Sequence, residues 1–534
     1  MESLQDPLLI AKPLYRVCSR LDELHGSHKI DKRHDMNNNH ADVPTFSYSD
    51  LLTSVDESQI LIECRSCSLT KSDIFSLARW INEKYYGKAK TVTNSKRALL
   101  VSEDNGEDFA AYLSCIIAGF SVVPVSPSTF KDRGASLIED LDPKLVITRK
   151  RNSTFLGLFT HIDHLSQEEI KEFFKERSHQ RASTSIPWKI SLDAEAYVIS
   201  TSGSTGTPKF VSITHRNVRA WQENSLPVLN LSAESRFSGT YPLFFDASAM
   251  FIFGCLRTGC TLVVAEREES LLPLTFAAKS SLTHWASVPS LLDYSFKVEK
   301  NIKEINGVRT LALGGEIVSA KVSSEFLDIF KTAEVVDLYG PSEATIFVAT
   351  KRFNRAELSQ YDNQISLPLE PPPYPWKLMN NEAENEGELY IAGEQAFSGY
   401  LTSKGKDTQS FLGPYLATGD AFRFDEGLLH CLGRSDNETK IRGQRVTLES
   451  LERYAEEIPE VRLAACFRSQ QASRDIDIAY EGTEVDNLVF MQALGRKLPM
   501  GVRVGKVKII ERFPINQNGK IDRSEIKRIL ETEK

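Results

Sequence analysis

The sequence contains no run of about 18 or more apolar residues, the length a membrane-spanning helix requires, so no membrane partner is expected. Its start, Met1-Glu2-Ser3-Leu4-Gln5-Asp6, has neither the basic stretch nor the apolar core of a secretory leader, which makes the cytoplasm the expected location. Positive charge is not in excess: 64 Lys and Arg stand against 72 Asp and Glu, a net charge of −8. That balance argues against the clustered basic surface that holds a phosphate backbone, so no nucleic-acid partner is expected. Cysteine is sparse, with 8 scattered residues. Only Cys64 and Cys67 form a C-x-x-C, and no second pair stands at zinc-site spacing, so reduced thiols are expected there rather than a metal or redox site. No Ser/His/Asp triad and no internal repeat is visible.

What remains is an ordinary globular composition, 41% apolar and 25% charged, over 534 residues. Such a length implies two or more domains. Residues 25–41 are polar, carry His25, His28, His34 and His40 beside Asn37-Asn38-Asn39, and read as a solvated loop. From Arg97 the pattern alternates. Short apolar runs at Ala98–Val101, Ser121–Val125, Leu145–Thr148, Tyr197–Ser200, Thr261–Ala265, Thr310–Leu313 and Glu334–Leu338 read as buried strands, and Phe109–Ala118 reads as a helix. Strands alternating with helices predict parallel sheets. Gly387–Ala392 and Leu428–Leu432 read as strands of a more β-rich stretch, and a break is expected near Gly433-Arg434-Ser435-Asp436. Beyond it, Leu448–Glu457 predicts a helix, and Arg462–Phe467 and Val507–Ile510 predict strands. The expected architecture is α/β: a large amino-terminal domain of mixed and parallel sheets wrapped by helices, with a β-rich subdomain and a small α+β carboxy-terminal lid on a hinge. The expected boundaries are an unassigned segment 1–45, a core 46–435 and a mobile subdomain 436–534.

One loop carries chemistry. Thr201-Ser202-Gly203-Ser204-Thr205-Gly206-Thr207-Pro208-Lys209 follows a predicted strand. Its glycines let backbone N–H groups approach an anion, its hydroxyls add donors, and Lys209 supplies a point charge for phosphate. The G-x-x-G-x-x-K spacing is not that of a P-loop, which needs G-x-x-x-x-G-K-[ST]. Composition alone also permits a flexible linker.

The loop resembles the signature of the adenylate-forming superfamily, which includes acyl-CoA synthetases, luciferases and the adenylation domains of nonribosomal peptide synthetases. Further motifs follow in the family's order. Tyr339-Gly340-Pro341-Ser342-Glu343 resembles Y-G-x-[ST]-E, Thr418-Gly419-Asp420 resembles T-G-D, Gly433-Arg434-Ser435-Asp436 with Lys440-Ile441-Arg442-Gly443 resembles the hinge segment, and Asn518-Gly519-Lys520 resembles the terminal lysine motif. The resemblance runs from about residue 45 to the end.

It implies ATP and Mg2+ as cofactors and a division of labour among these residues. Thr201, Ser202, Gly203, Ser204, Thr205, Gly206 and Lys209 would hold the outer phosphates, and Glu343 the magnesium, a hard cation that prefers carboxylate oxygen. Tyr339 would stack on adenine, with Gly314, Gly315, Glu316, Leu338, Gly340 and Ser342 around the nucleotide. Asp420, helped by Arg434, would take the ribose hydroxyls. Lys520 would bridge the substrate carboxylate and the α-phosphate. Asp436 would be the hinge about which Lys520 gives way to the Lys440 face.

The same resemblance narrows the acid. Phe244-Phe245-Asp246-Ala247-Ser248 is similar to the F-D-x-S segment of amino-acid-activating members, in which the aspartate pairs with the α-ammonium; a helix N-cap is the other role open to Asp246. The matching pocket positions are Ala247, Met250, Ser287, Ala312, Gly314, Leu338, Ile346 and Phe347, beside Phe245. They carry no charge, so a neutral side chain is expected. Phe347 and Leu338 favour a small or medium aliphatic one, while Ala312 and Gly314 leave space for an aromatic ring. Trp285–Ser290 and Met250 look most like the D-alanine:carrier-protein ligases. Nothing after residue 523 resembles a carrier, condensation or thioesterase domain, so the expected acceptor is a separate carrier protein's phosphopantetheine thiol, with coenzyme A second. An acyl- or aryl-CoA ligase is the rival enzyme, and a catalytically silent nucleotide-binding homologue the rival of another class.

Overall fold

The computed structural model describes residues 44–532 except 88–89, 151–161, 178–183, 202–208, 362–363, 365, 380–384, 403–404, 435–437, 442–443, 470–475, 496–502 and 518. The amino-terminal segment, Ser202–Pro208, Asp436, expected as the hinge, and Asn518 therefore lie outside the described residues.

Two eight-stranded sheets dominate. The first runs, in spatial order, through Gly405–Asp407, Tyr400–Thr402, Lys209–Thr214, Glu195–Thr201, Ser121–Val125, Arg97–Val101, Leu145–Thr148 and Asp163–Ser166. Its last five strands are parallel, and Lys209–Thr214 turns back antiparallel on Glu195–Thr201. The second runs through Ala349–Phe353, Glu334–Tyr339, Thr310–Gly314, His284–Ser287, Arg236–Gly239, Thr261–Val263, Ile60–Glu63 and Ser68–Thr70, parallel except at its two edges. The apolar runs read from the sequence are these buried strands.

The helix Gly106–Ala118 is buried along its whole length and packs against strands of both sheets. It starts where Asn105 and Asp108 form a reciprocal capping box and stops at left-handed Gly119. A helix buried all round forms here because both of its sides are covered.

An antiparallel sheet of Trp376–Met379, Glu386–Ile391, Tyr415–Asp425 and Phe411–Leu412, with Leu428–Arg434 added, is the expected β-rich stretch. Farther along the chain, the strands Val461–Arg468, Ile476–Gly482 and Val504–Ile509 form a sheet whose apolar cores are separate from those of the large sheets. No helix among the described residues is long and apolar enough to cross a membrane.

The sequence reading of Cys64 and Cys67 is corrected: they are joined as a disulfide. Reciprocal backbone hydrogen bonds between the two residues close a tight turn with Cα atoms 5.0 Å apart, which points both sulfurs the same way. The remaining described cysteines form no disulfide.

Candidate active site

Parallel strands end in register, so the residues that follow them meet along one rim, where α/β sheets place their ligands. In the second sheet Gly239 pairs with Ala286, Ala286 with Ala312, and Gly314 with Leu338. The rim thus collects Thr240–Asp246, Ser287, Gly314–Glu316 and Leu338–Gly340, four segments separated in the chain. Thr201 ends its strand in the first sheet, and Lys209 starts the strand that returns. Phe210, directly after it, is buried among Leu99, Val123 and Val198.

Asp246 is a buried ionisable group on this rim. It is 3% exposed, and the Tyr197 hydroxyl donates to its Oδ1 at 2.9 Å. Burial pushes its carboxyl up to about 7; the Glu343 charge adds to that, while Tyr197, the Ile346 N–H and Ser342 oppose it. No described lysine or arginine forms an ion pair with it. The N-cap reading fails, because Asp246 lies inside a single 3-10 turn, Asp246–Ser248, and neither that turn nor the helix Ala249–Thr258 has a side-chain cap.

Around it, Met250, Ala312 and Phe347 are 1% exposed, and Leu338 and Ile346 5%. Ala247 is partly buried, and Trp221 meets Phe347 edge-on at 5.4 Å. The Ser287 hydroxyl lies 2.8 Å from Thr240 Oγ1 and donates to the Val288 carbonyl, so its bonds are internal. The space attributed to Gly314 is already filled: a Cβ there would lie 2.4 Å from the Leu338 carbonyl oxygen. Its smallness serves the approach of the neighbouring strand rather than an aromatic substrate. Gly340 does the same for the returning chain, since a Cβ would stand 2.4 Å from Phe347 Cα.

Two consecutive β-branched residues, Thr345 and Ile346, hold positive φ of 60° and 70°, a strained conformation that needs outside support. Gln395 supplies it. Its side-chain nitrogen lies 3.1 Å from the Ala344 carbonyl and 2.6 Å from that of Phe347, and Thr345 Oγ1 donates to the Gln395 carbonyl at 2.6 Å.

The residues expected on the nucleotide side also converge. Tyr339 donates its hydroxyl to Asp420 Oδ2 at 2.7 Å, and its ring meets Phe422 edge-on. Asp420 and Arg434 are register partners on adjacent strands, 3.5 Å apart at their charged atoms. Lys520 Nζ stands 4.8 Å from the Phe245 ring centroid, and its Cε lies 3.4 Å from where a Cβ of Gly315 would be. Burial pulls the Lys520 ammonium below its ordinary pKa, and the Glu316 and Asp420 charges partly restore it. Glu316, expected around the nucleotide, uses its carboxylate to hold the lysine segment. It accepts from Ser290 N and Oγ at 3.0 and 2.9 Å and from Ile521 N at 3.3 Å. Lys440 lies on the strand Glu438–Ile441, opposite Arg445.

Glu343 sits in the turn Ser342–Ala344, and its Oε1 accepts from the Tyr400 hydroxyl at 2.5 Å. Among the described residues no group of three or more carboxylate, imidazole or thiolate side chains could cage a metal. A magnesium ion that keeps its waters and takes substrate phosphates needs only one such carboxylate, so Glu343 fits that ion. Sequence reading missed Tyr197, Thr240, Gln395 and Tyr400. The Gly399-Tyr400-Leu401 tripeptide was visible, but nothing local ties it to Glu343.

The family profile described as AMP-binding enzyme matches residues 88–401, more than half of the sequence. The chain belongs to that family. The D-alanine--D-alanyl carrier protein ligase of Bacillus cytotoxicus is 26% identical over 482 residues, covering 85% of this chain and 92% of that protein. Bacitracin synthase 1 of Bacillus licheniformis is 28% identical over 429 residues, or 77% of this chain, which spans only 8% of that longer protein. The ATP-bound structure of MatB from Rhodopseudomonas palustris matches with a TM-score of 0.75 at 17% identity, over 91% of this chain and 98% of that one, a likeness of fold. The chain is thus an AMP-binding enzyme of mixed α/β fold.

Proposed function

We propose that this enzyme activates an amino acid with a neutral, small or medium aliphatic side chain as its aminoacyl-adenylate, then passes the aminoacyl group to a thiol. The observation that carries this reading is Asp246: a buried carboxylate bonded by hydroxyl and N–H donors but by no cation among the described residues. Such a group is costly unless a ligand's positive charge completes it. An α-ammonium is that charge, and it sets the substrate's carboxylate toward Lys520.

The substrate carboxylate oxygen attacks the α-phosphorus of ATP, the bond to the β-phosphate oxygen breaks, and pyrophosphate leaves. A carboxylate needs no general base, so the site supplies orientation and charge neutralisation. Lys520, oriented by Glu316 and the Phe245 ring, stabilises negative charge at the α-phosphate and the entering oxygen. Glu343 would hold Mg2+, which when bound offsets the charge of the phosphate oxygens. Lys209 and the hydroxyls of the loop it closes steady the pyrophosphate; Tyr339, Asp420 and Arg434 hold the nucleoside. The phosphopantetheine thiol of a carrier protein then attacks the acyl carbon and AMP leaves. The relative that carries a D-alanyl carrier protein in its name supports that acceptor over coenzyme A. In this second half-reaction residues beyond the hinge at Asp436 would turn, bringing Lys440 where Lys520 stood.

Lys520→Ala is expected to slow amino-acid-dependent ATP–pyrophosphate exchange by about 100-fold or more, the scale of a lost transition-state charge contact. An exchange rate equal to wild type would remove Lys520 from the reaction.

A further inference from the structure

Tyr400 joins the two charged groups that the proposed reaction needs at opposite ends of the pyrophosphate. It opens the strand Tyr400–Thr402, which pairs with Lys209–Thr214 so that Tyr400 lies opposite Val211. That register places its ring beside the first residue of the partner strand, and Lys209 Nζ stands 4.7 Å from the ring centroid, in cation–π range. At the other end of the same side chain, the hydroxyl donates to Glu343 Oε1 at 2.5 Å. The arrangement is braced: Phe397 meets the Tyr400 ring edge-on at 5.0 Å, and the Phe397 N–H donates to the Glu343 carbonyl at 2.7 Å. Gly399, just before Tyr400, has φ 122°, and a Cβ there would lie 2.6 Å from the Asp407 carbonyl oxygen, so the chain enters the strand in one fixed direction.

We propose that Tyr400 is a positioning residue that presents the Glu343 carboxylate to the metal–nucleotide complex and keeps the Lys209 ammonium apart from it. The inference rests on the adenylation reading above. An ammonium and a carboxylate this near the same phenol would attract each other if the ring were absent, and their ion pair would withdraw both from ATP. The ring face occupies the cation and the hydroxyl orients the anion, so neither quenches the other. ATP entry then needs only the exchange of a weak ring contact for a phosphate on Lys209. One oxygen of Glu343 is held by the phenol, leaving the other free for a cation.

The two ends of the side chain can be cut separately. In the full-length protein, Tyr400→Phe removes the hydroxyl and keeps the ring; Tyr400→Leu removes both. Mn2+ binding in the presence of α,β-methylene-ATP, followed by the electron paramagnetic resonance of free Mn2+, reports on Glu343 without turnover. Inhibition of exchange by excess pyrophosphate reports on Lys209. Tyr400→Phe is expected to weaken Mn2+ about tenfold, the worth of one hydrogen bond to a charged group, to regain its exchange rate at high Mg2+, and to keep the wild-type pyrophosphate dependence. Tyr400→Leu is expected to weaken both. Wild-type Mn2+ affinity in Tyr400→Phe, or a loss of exchange that high Mg2+ does not restore, would overturn the role while leaving adenylation intact. Absence of exchange in the wild type would instead overturn adenylation, and this role with it.

Discussion

At the scale of single residues, Asp246 concentrates the tension between stability and function. The unfolded chain releases this proton near the ordinary value of 3.8, whereas the folded protein holds it to about 7. Between those values the unfolded state binds fewer protons, so this group makes the unliganded protein less stable as pH rises from about 4 to 7, and no further above that. Asp246→Asn, nearly the same in shape, should therefore stabilise the unliganded protein at pH 8 by on the order of 1–3 kcal/mol, read as a raised melting temperature. It should also abolish amino-acid-dependent exchange. In the wild type the carboxyl must lose its proton to pair with an ammonium, so KM for the amino acid should rise about tenfold per unit as pH falls below 7. A pH-independent KM, or a destabilised Asp246→Asn, would show that the carboxylate is satisfied by the protein itself.

At the scale of elements, each strand anticipated from a short apolar run is present. Burial on both faces writes itself into consecutive residues such as Ala98–Val101 and Thr310–Leu313, and the predicted helix ends where Gly119 takes a left-handed φ. Less legible was what joins elements far apart in the chain. Tyr197 reaches Asp246 across 49 positions, Tyr400 reaches Glu343 across 57, and Gln395 supports a strained turn near residue 345. Contacts of that kind depend on strand order, and strand order leaves no periodic trace. Gly314 shows the opposite error: a motif position read as pocket space is a strand-packing position. Gly314→Ala should therefore destabilise the protein by about 1–3 kcal/mol through overpacking against Leu338, lowering the urea midpoint. If Gly314 instead made room for substrate, the same variant would keep its stability and shift preference to smaller amino acids.

At the scale of the whole molecule, Lys520 depends on how the carboxy-terminal sheet meets the helix Pro289–Val298. That contact is an alternating ion network. Arg462 pairs with Asp293 and, at 2.6 Å, with Glu481, while Lys297 reaches Glu481 at 2.9 Å and Asp293 at 3.2 Å. Arg512 lies over the Tyr294 ring at 4.9 Å, and Ser290 Oγ is 3.0 Å from the Gly519 carbonyl oxygen, beside Lys520. Arg462→Ala leaves two carboxylates sharing one lysine. It should slow exchange several-fold and make the rate more sensitive to salt, because two largely buried carboxylates then rely on the one Lys297 ammonium, the most exposed member of the network that remains. Equal salt dependence in variant and wild type would show that the network does not hold Lys520 in place.

The central claim is that the acid carries an ammonium which Asp246 receives. ATP–pyrophosphate exchange driven by L- and D-amino acids with small neutral side chains, each run beside the same acid lacking its amino group, tests it most directly. The account predicts exchange with at least one amino acid and a rate lower by about 100-fold or more for its des-amino partner, the cost of leaving a buried charge unpaired. Equal rates for the two, or exchange supported only by aryl or fatty acids, would contradict it.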